Sequence, residues 1–200
     1  MQSDLDLASL LASRLCHDVV GPVGAIQNGL ELIAEDKSMT DMAMELIKKS
    51  AAQATAKLQY ARMAYGAAGG AAELDPAEAG RLTAAMFEGE RATLSWDWTG
   101  PPAPRNPVKL AMLFGTFALG AVPRGGEVRV NAAEDGHLNV VASGSTIRTP
   151  PFMELLVGGG ASEDPRAIQA VLMQRLAEEN GWRIFAAPGD TEISWRTSQR

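Results

Sequence analysis

Apolar positions in the first third of the chain recur at helical spacing. Counted at about 100° per residue, Leu11, Leu15, Val19, Val23, Ile26, Leu30 and Ile33 form one stripe. The pattern predicts a helix that starts at Ser3 or Asp4, either a good N-cap, and runs to about Glu35. Asp36-Lys37-Ser38-Met39-Thr40 reads as a turn, with Thr40 or Ser38 capping a second helix. That helix puts Ala43, Ile47, Ser50, Ala54, Leu58, Ala61 and Tyr65 on one face and stops at the glycines after Tyr65. At 1.5 Å per residue the first helix is roughly 45 Å long, so the pair makes an antiparallel hairpin. Around Leu7, Ala8, Leu10, Leu11 and Ala12 the first helix is apolar nearly all round and needs cover from more than one neighbour. A second copy of the hairpin supplies it most simply, which predicts a homodimer built on a four-helix bundle.

Patterning changes after a glycine-alanine linker at 67–72, so the chain divides into a hairpin domain, 1–69, and a second domain, 70–200. Residues 76–88 read as a helix, and Ala92-Thr93-Leu94-Ser95-Trp96-Asp97-Trp98 alternates as a strand does. A proline-rich loop at 100–107 leads into a helix over 108–122. Pro123-Arg124-Gly125-Gly126 then turns into strands at 127–131 and 137–142. Pro165 opens a helix that ends at Gly181, and strands at 182–186 and 192–195 close the chain as a hairpin. Helices alternating with strand pairs make the fold class α+β, with a C-terminal α/β sandwich.

Composition narrows the functions open to such a fold. The 24 acidic and 18 basic residues leave a net charge of −6, which argues against nucleic acid as a partner. No apolar run approaches the ~18 residues that would span a bilayer, and no basic stretch opens a secretory signal. A single cysteine, Cys16, excludes an internal disulfide, suits a reducing compartment, and adjoins the stripe as a small hydrophobe would. The expectation is a cytoplasmic protein without a membrane partner.

The residues with chemical interest lie within the first helix. His17, one of two histidines, falls roughly opposite the apolar stripe. A neutral imidazole is well populated at cellular pH and is nucleophilic. Asp18 stands beside it to orient the ring, and Arg14, one turn earlier, can pair with anionic oxygens. Ser13, Gly21 and Gly24 leave the surface near His17 almost bare of side chains, and Asn28 extends that strip into a docking footprint. Pro22 deprives the Asp18 carbonyl of its helical donor, so a local bend is expected there.

Histidine, acid and a proline at His+5 resemble the H-box of two-component histidine kinases. The longer run through Pro22-Val23-Gly24-Ala25-Ile26 and Asn28-Gly29-Leu30-Glu31-Leu32 resembles the ChpT-type histidine phosphotransferases. That resemblance implies a dimeric hairpin on which His17 takes a phosphoryl group from one receiver-domain aspartate and passes it to another. It implies receiver domains of a hybrid kinase and of response regulators as partners. It also implies no cofactor in this chain, the Mg²⁺ being held by the receiver. Gly21 stands where kinases with phosphatase activity place Thr or Asn, which implies transfer without efficient hydrolysis.

The order of elements in the second domain resembles a degenerate ATP-binding domain of the kinase/gyrase superfamily. Leu113 and Phe117 occupy positions where asparagines are expected, the strand over 140–147 has no aspartate, and Gly158-Gly159-Gly160 is similar to a nucleotide lid in its glycines alone. Two other functions remain open at this stage: a non-enzymatic dimeric adaptor of receiver domains, and an active histidine kinase with an unusual ATP site. His137, at a strand start, is expected to be structural.

Overall fold

A computed structural model describes residues 3–66 and 72–200. All of the 67–72 linker but its last residue, and the expected domain boundary at 69/70, fall on 67–71, outside the described residues. Helix α1 spans Asp4–Glu35 and opens with a capping box in which Ser3 and Asp6 satisfy each other's backbone amides. A single 3-10 turn, Lys37–Met39, leads into α2, Thr40–Ala64. Asp36 caps this turn by accepting from the Ser38 amide, and hydrogen bonding from the Ser38 side chain first and its amide second holds the Asp36 carboxyl below the usual carboxylate range. Neither Ser38 nor Thr40 caps α2: the Thr40 hydroxyl is turned back onto the Lys37 carbonyl.

The remaining elements are β1 (Glu73–Leu74), α3 (Pro76–Ala85), β2 (Ala92–Trp96), β3 (Ala103–Pro104), α4 (Arg105–Leu119), β4 (Gly126–Ala132), β5 (Leu138–Ser143), α5 (Met153–Gly158), α6 (Ile168–Glu179), β6 (Trp182–Pro188) and β7 (Glu192–Gln199). The main sheet has the order β2-β4-β5-β7-β6, parallel between β2 and β4 and antiparallel elsewhere. Its inner face, through Val128, Val130, Val140, Ile193 and Trp195, packs against the helices around Phe114 and Met173. Its outer face carries Arg129 paired with Glu127, and Arg196 over the Phe185 ring. The α+β sandwich expected from the pattern is present. The two-residue ladder of β1 with β3, the short α5, and the residues by which β6 and β7 run past their expected ends, two and four, lack a long enough periodic signal to show in sequence. His137 packs against Trp182 with ring centroids 4.8 Å apart and reaches Thr197, a structural role as expected.

The stripe along α1 does not all face α2. Pro22 and Gly29 are the buried residues of α1, whereas Val23 and Leu30 remain 50% and 56% exposed. The intrachain face is therefore rotated from the centre of the stripe, because a glycine lets the helices approach where a larger residue would hold them apart. A Cβ on Gly29 would lie 2.6 Å from Ile47 Cγ1 and 3.2 Å from the Ala43 carbonyl oxygen. On α2, Ala43, Ser50, Ala54 and Ala61 are buried as predicted, while Leu58 is exposed.

The hairpin and the sandwich share one core. Tyr60 and Ala64 of α2 are buried among residues of the second domain. The Tyr60 hydroxyl donates to the Met112 carbonyl at 3.2 Å and meets Thr116 Oγ1 at 2.8 Å. Gln169 of α6 donates to that same Thr116 oxygen and to the Leu113 carbonyl, both at 2.8 Å. Lys109, nearly buried, donates to the Gly66 carbonyl just past the end of α2, and its burial lowers its ammonium below the ordinary lysine value. Arg175 of α6 reaches Asp4 at the start of α1.

The glycines of α1 give a direct check on this packing. Gly21 and Gly24 face open space, so alanine at either should stabilise by about 0.5–1 kcal/mol through helix propensity. Alanine at Gly29 should instead cost about 1–3 kcal/mol by overpacking against Ile47. Urea unfolding of the three variants measures the difference in sign; equal effects at all three positions would contradict the close approach.

Candidate functional site

His17 projects from α1 with its side chain 85% exposed. Its Nδ1 lies 3.4 Å from Asp18 Oδ1, a long contact whose donor depends on the tautomer. The other Asp18 oxygen accepts from Arg14 Nε at 2.8 Å, one helical turn back. Asp18 thus bridges the imidazole and the guanidinium. The three predicted residues are brought together, but Arg14 is already committed to Asp18 rather than held free for an incoming anion.

Both partners of that ion pair are only about a quarter exposed, so solvent screens them less than a surface pair. Burial acts against the Arg14 charge. The hydrogen bond and charge of Asp18 outweigh it and raise the guanidinium above its ordinary value. Behind the pair lies a cavity of 230 Å³ whose wall includes Tyr60, Tyr65, Thr116 and Gln169. Burial pushes the Tyr65 phenol up to about 12, and Tyr60 well above its ordinary value, so both stay neutral hydroxyls beneath the site.

Pro22 does not interrupt α1, which runs unbroken through it. The Asp18 carbonyl, without an amide donor four residues on, accepts from Lys57 Nζ of α2 at 2.9 Å. The sequence marks the orphaned carbonyl through the proline but contains no local sign of the donor, which arrives across the hairpin.

Ser13, Gly21, Gly24 and Asn28 fall within about 40° of His17 by helical count, on the same side of α1. Ser13, Gly21 and Asn28 are exposed and Gly24 is half-buried. With nothing within 4 Å of a Cβ at Gly21 or Gly24, neither glycine serves close packing within the chain. Cys16 is exposed rather than packed, because it lies beside the half of the stripe that α2 leaves uncovered.

The second domain forms the far wall of a groove of 760 Å³ beside the imidazole. Ser13 and His17 stand on one side; Phe117, Phe152, Pro165 and Arg166 stand on the other. Phe152 holds a left-handed backbone at φ 63° at the start of α5, an unusual state for a bulky residue. Asp164 caps the turn into α6 through the Arg166 amide and pairs with the Arg166 guanidinium at 2.7 Å.

The residues of the second domain do not fit a magnesium nucleotide. Leu113 and Phe117 are buried, the latter edge-to-face on Trp195, so a carboxamide at either position would be sealed in the core. Gly159, at φ 71°, ends α5 with its amide on the Leu155 carbonyl, which makes the glycine run a helix stop. Among the described residues no three His, Cys, Asp or Glu gather as metal ligands. Among the same residues no helix is long and apolar enough to cross a membrane.

Known proteins resemble this chain in sequence and in fold. Residues 76–192, more than half of the chain, match the family described as "Histidine phosphotransferase C-terminal domain". The protein named protein phosphotransferase ChpT from Brucella abortus (strain 2308) is 41% identical over 189 residues, which cover 91% of this chain and 90% of that one. A solved structure of a bacterial phosphotransferase superposes with a TM-score of 0.88 at 36% identity, over 99% of this chain and 98% of the other. The bare, carboxylate-backed histidine on a hairpin helix therefore occurs here in a sequence that belongs to the histidine phosphotransferase family.

Proposed function

We propose that His17 is the phosphoacceptor through which this phosphorelay histidine phosphotransferase works. The observation that carries the reading is the paired ring: one nitrogen faces a carboxylate that Arg14 holds in place, and the imidazole otherwise stands in solvent. With the proton on Nδ1, the Nε2 lone pair attacks the phosphorus of a receiver's aspartyl phosphate. The acyl-phosphate P–O bond breaks, and its electron pair stays on the departing receiver carboxylate. The imidazole gains a positive charge that Asp18 stabilises through Nδ1–H, so no proton need leave the ring. Attack by the aspartate of a second receiver reverses these bonds. Most of the rate comes from holding donor and acceptor in line. Mg²⁺ belongs to the receiver's own site.

The strip of Ser13, Gly21, Gly24 and Asn28 suits a receiver surface pressed close to the helix, with the second domain's groove wall on the other side. Gly21 has no side chain with which to orient a water, in keeping with transfer rather than hydrolysis. The compartment that fits receiver partners, an exposed unpaired cysteine and a net charge of −6 is the cytoplasm, and no nucleic acid is needed.

The homodimer rests on the uncovered part of the stripe. Val23 and Leu30 of α1, with Met44 and Leu58 of α2, are exposed, and helical counting from the intrachain contact puts all four on the side of the hairpin away from His17. A second hairpin laid there completes a four-helix bundle and leaves both phosphoacceptors outward.

Three experiments test these readings. Incubation with a labelled phospho-receiver should put acid-labile label on the wild type and none on His17→Ala; label on both would refute the assignment. Sedimentation should give a particle of twice 21.1 kDa, reduced to one chain by Val23→Glu with Leu30→Glu. A monomeric wild type would refute the bundle. Incubation with γ-labelled ATP and Mg²⁺ should leave His17 unlabelled, whereas His17-dependent label would favour an active kinase.

A further inference from the structure

Asp18 is held at both ends. Arg14 grips its carboxylate from the same helix, and Lys57 donates to its backbone carbonyl from the other helix of the hairpin. The second contact exists because Pro22 has no amide to offer four residues on. Any donor would satisfy the carbonyl, water included, but the one in place is a long side chain anchored on α2 and lining the cavity behind the site. Its ammonium makes the bond charge-assisted and ties the Asp18 peptide to a second element. With the carbonyl tied to α2 and one carboxylate oxygen tied to Arg14, the remaining oxygen lies 3.4 Å from His17 Nδ1.

We propose that Lys57 is a positioning residue for phosphoryl transfer: by occupying the carbonyl that Pro22 leaves open, it fixes Asp18 and through it the tautomer of His17. The proposal rests on the reading of His17 as phosphoacceptor and Asp18 as its partner. An imidazole whose Nδ1 is held on a carboxylate keeps its proton there and leaves Nε2 as the nucleophile. When Lys57 is replaced by a side chain that cannot donate, the carbonyl turns to water, the peptide loosens, and the ring drifts between tautomers. Substrate docking, which uses the outer face of α1, is not altered.

The full chain holds only two histidines, so nitrogen-15 spectra of the histidine-labelled protein resolve His17 from His137, with His17→Ala giving the assignment. In the wild type the His17 signals should report the Nδ1–H form. In Lys57→Met they should move toward a mixture with Nε2–H, and in Lys57→Arg, which can still donate, they should stay near wild type. Transfer from a saturating phosphorylated receiver should slow about ten-fold in Lys57→Met with an unchanged KM, and recover in Lys57→Arg. An unchanged tautomer ratio in Lys57→Met overturns the proposal whatever happens to the rate. Equal losses in both variants with a shared fall in Tm overturn it too, since they would mark a merely structural contact. Label persisting on His17→Ala would refute the phosphoacceptor reading instead, so the two failures are separable.

Discussion

The burial of Tyr60 is the interaction on which the rest of this structure depends. Its ring closes the core shared by the hairpin and the sandwich, and its hydroxyl is tied to α4 at Met112 and Thr116. A phenol buried without those partners would cost about 1–3 kcal/mol, so the contact is directional as well as apolar. Through it the second domain is set at a definite height along α1. The groove beside His17 and the cavity beneath Asp18 are both spaces between elements that Tyr60 holds in register. Lys109 on the Gly66 carbonyl and Arg175 on Asp4 add to that anchor at the two ends of the contact.

Helix α1 divides into three faces of different character, which accounts for its unusual composition. One face receives α2 and is cut back to glycine at its closest point. A second carries aliphatic residues that its own chain leaves uncovered. The third holds the histidine among small residues. A helix with one apolar stripe would satisfy a single neighbour. This one spreads its apolar residues over two faces and keeps the third for the histidine and its small neighbours.

Much of this was legible in the sequence. The cap at Ser3, both long helices, the order of the later elements and the cluster of Arg14, His17 and Asp18 follow from spacing and residue chemistry within a few turns of helix. What spacing could not show is which part of a broad stripe meets α2, because Gly29 contributes nothing to an apolar count yet decides the contact. Lys57 was equally hidden: it lies 39 residues from the carbonyl it serves. Tyr60 reads as an ordinary residue off the predicted face of α2, and its partners come from α4 and α6. Arg14 was expected near incoming phosphoryl oxygens, but its proximity to Asp18 at one helical turn commits it to the carboxylate first.

The exposure of His17 sets the terms on which a phosphoryl group would be kept there. Among the described residues nothing folds over the ring, so water would reach the phosphorus as freely as any protein does. Shielding is therefore not what would preserve the group; its lifetime would depend on the lack of a base or amide at Gly21 to aim a water molecule. Such a store would be guarded by kinetics and not by walls, and it would open to whichever surface brought its own aspartate and metal into line.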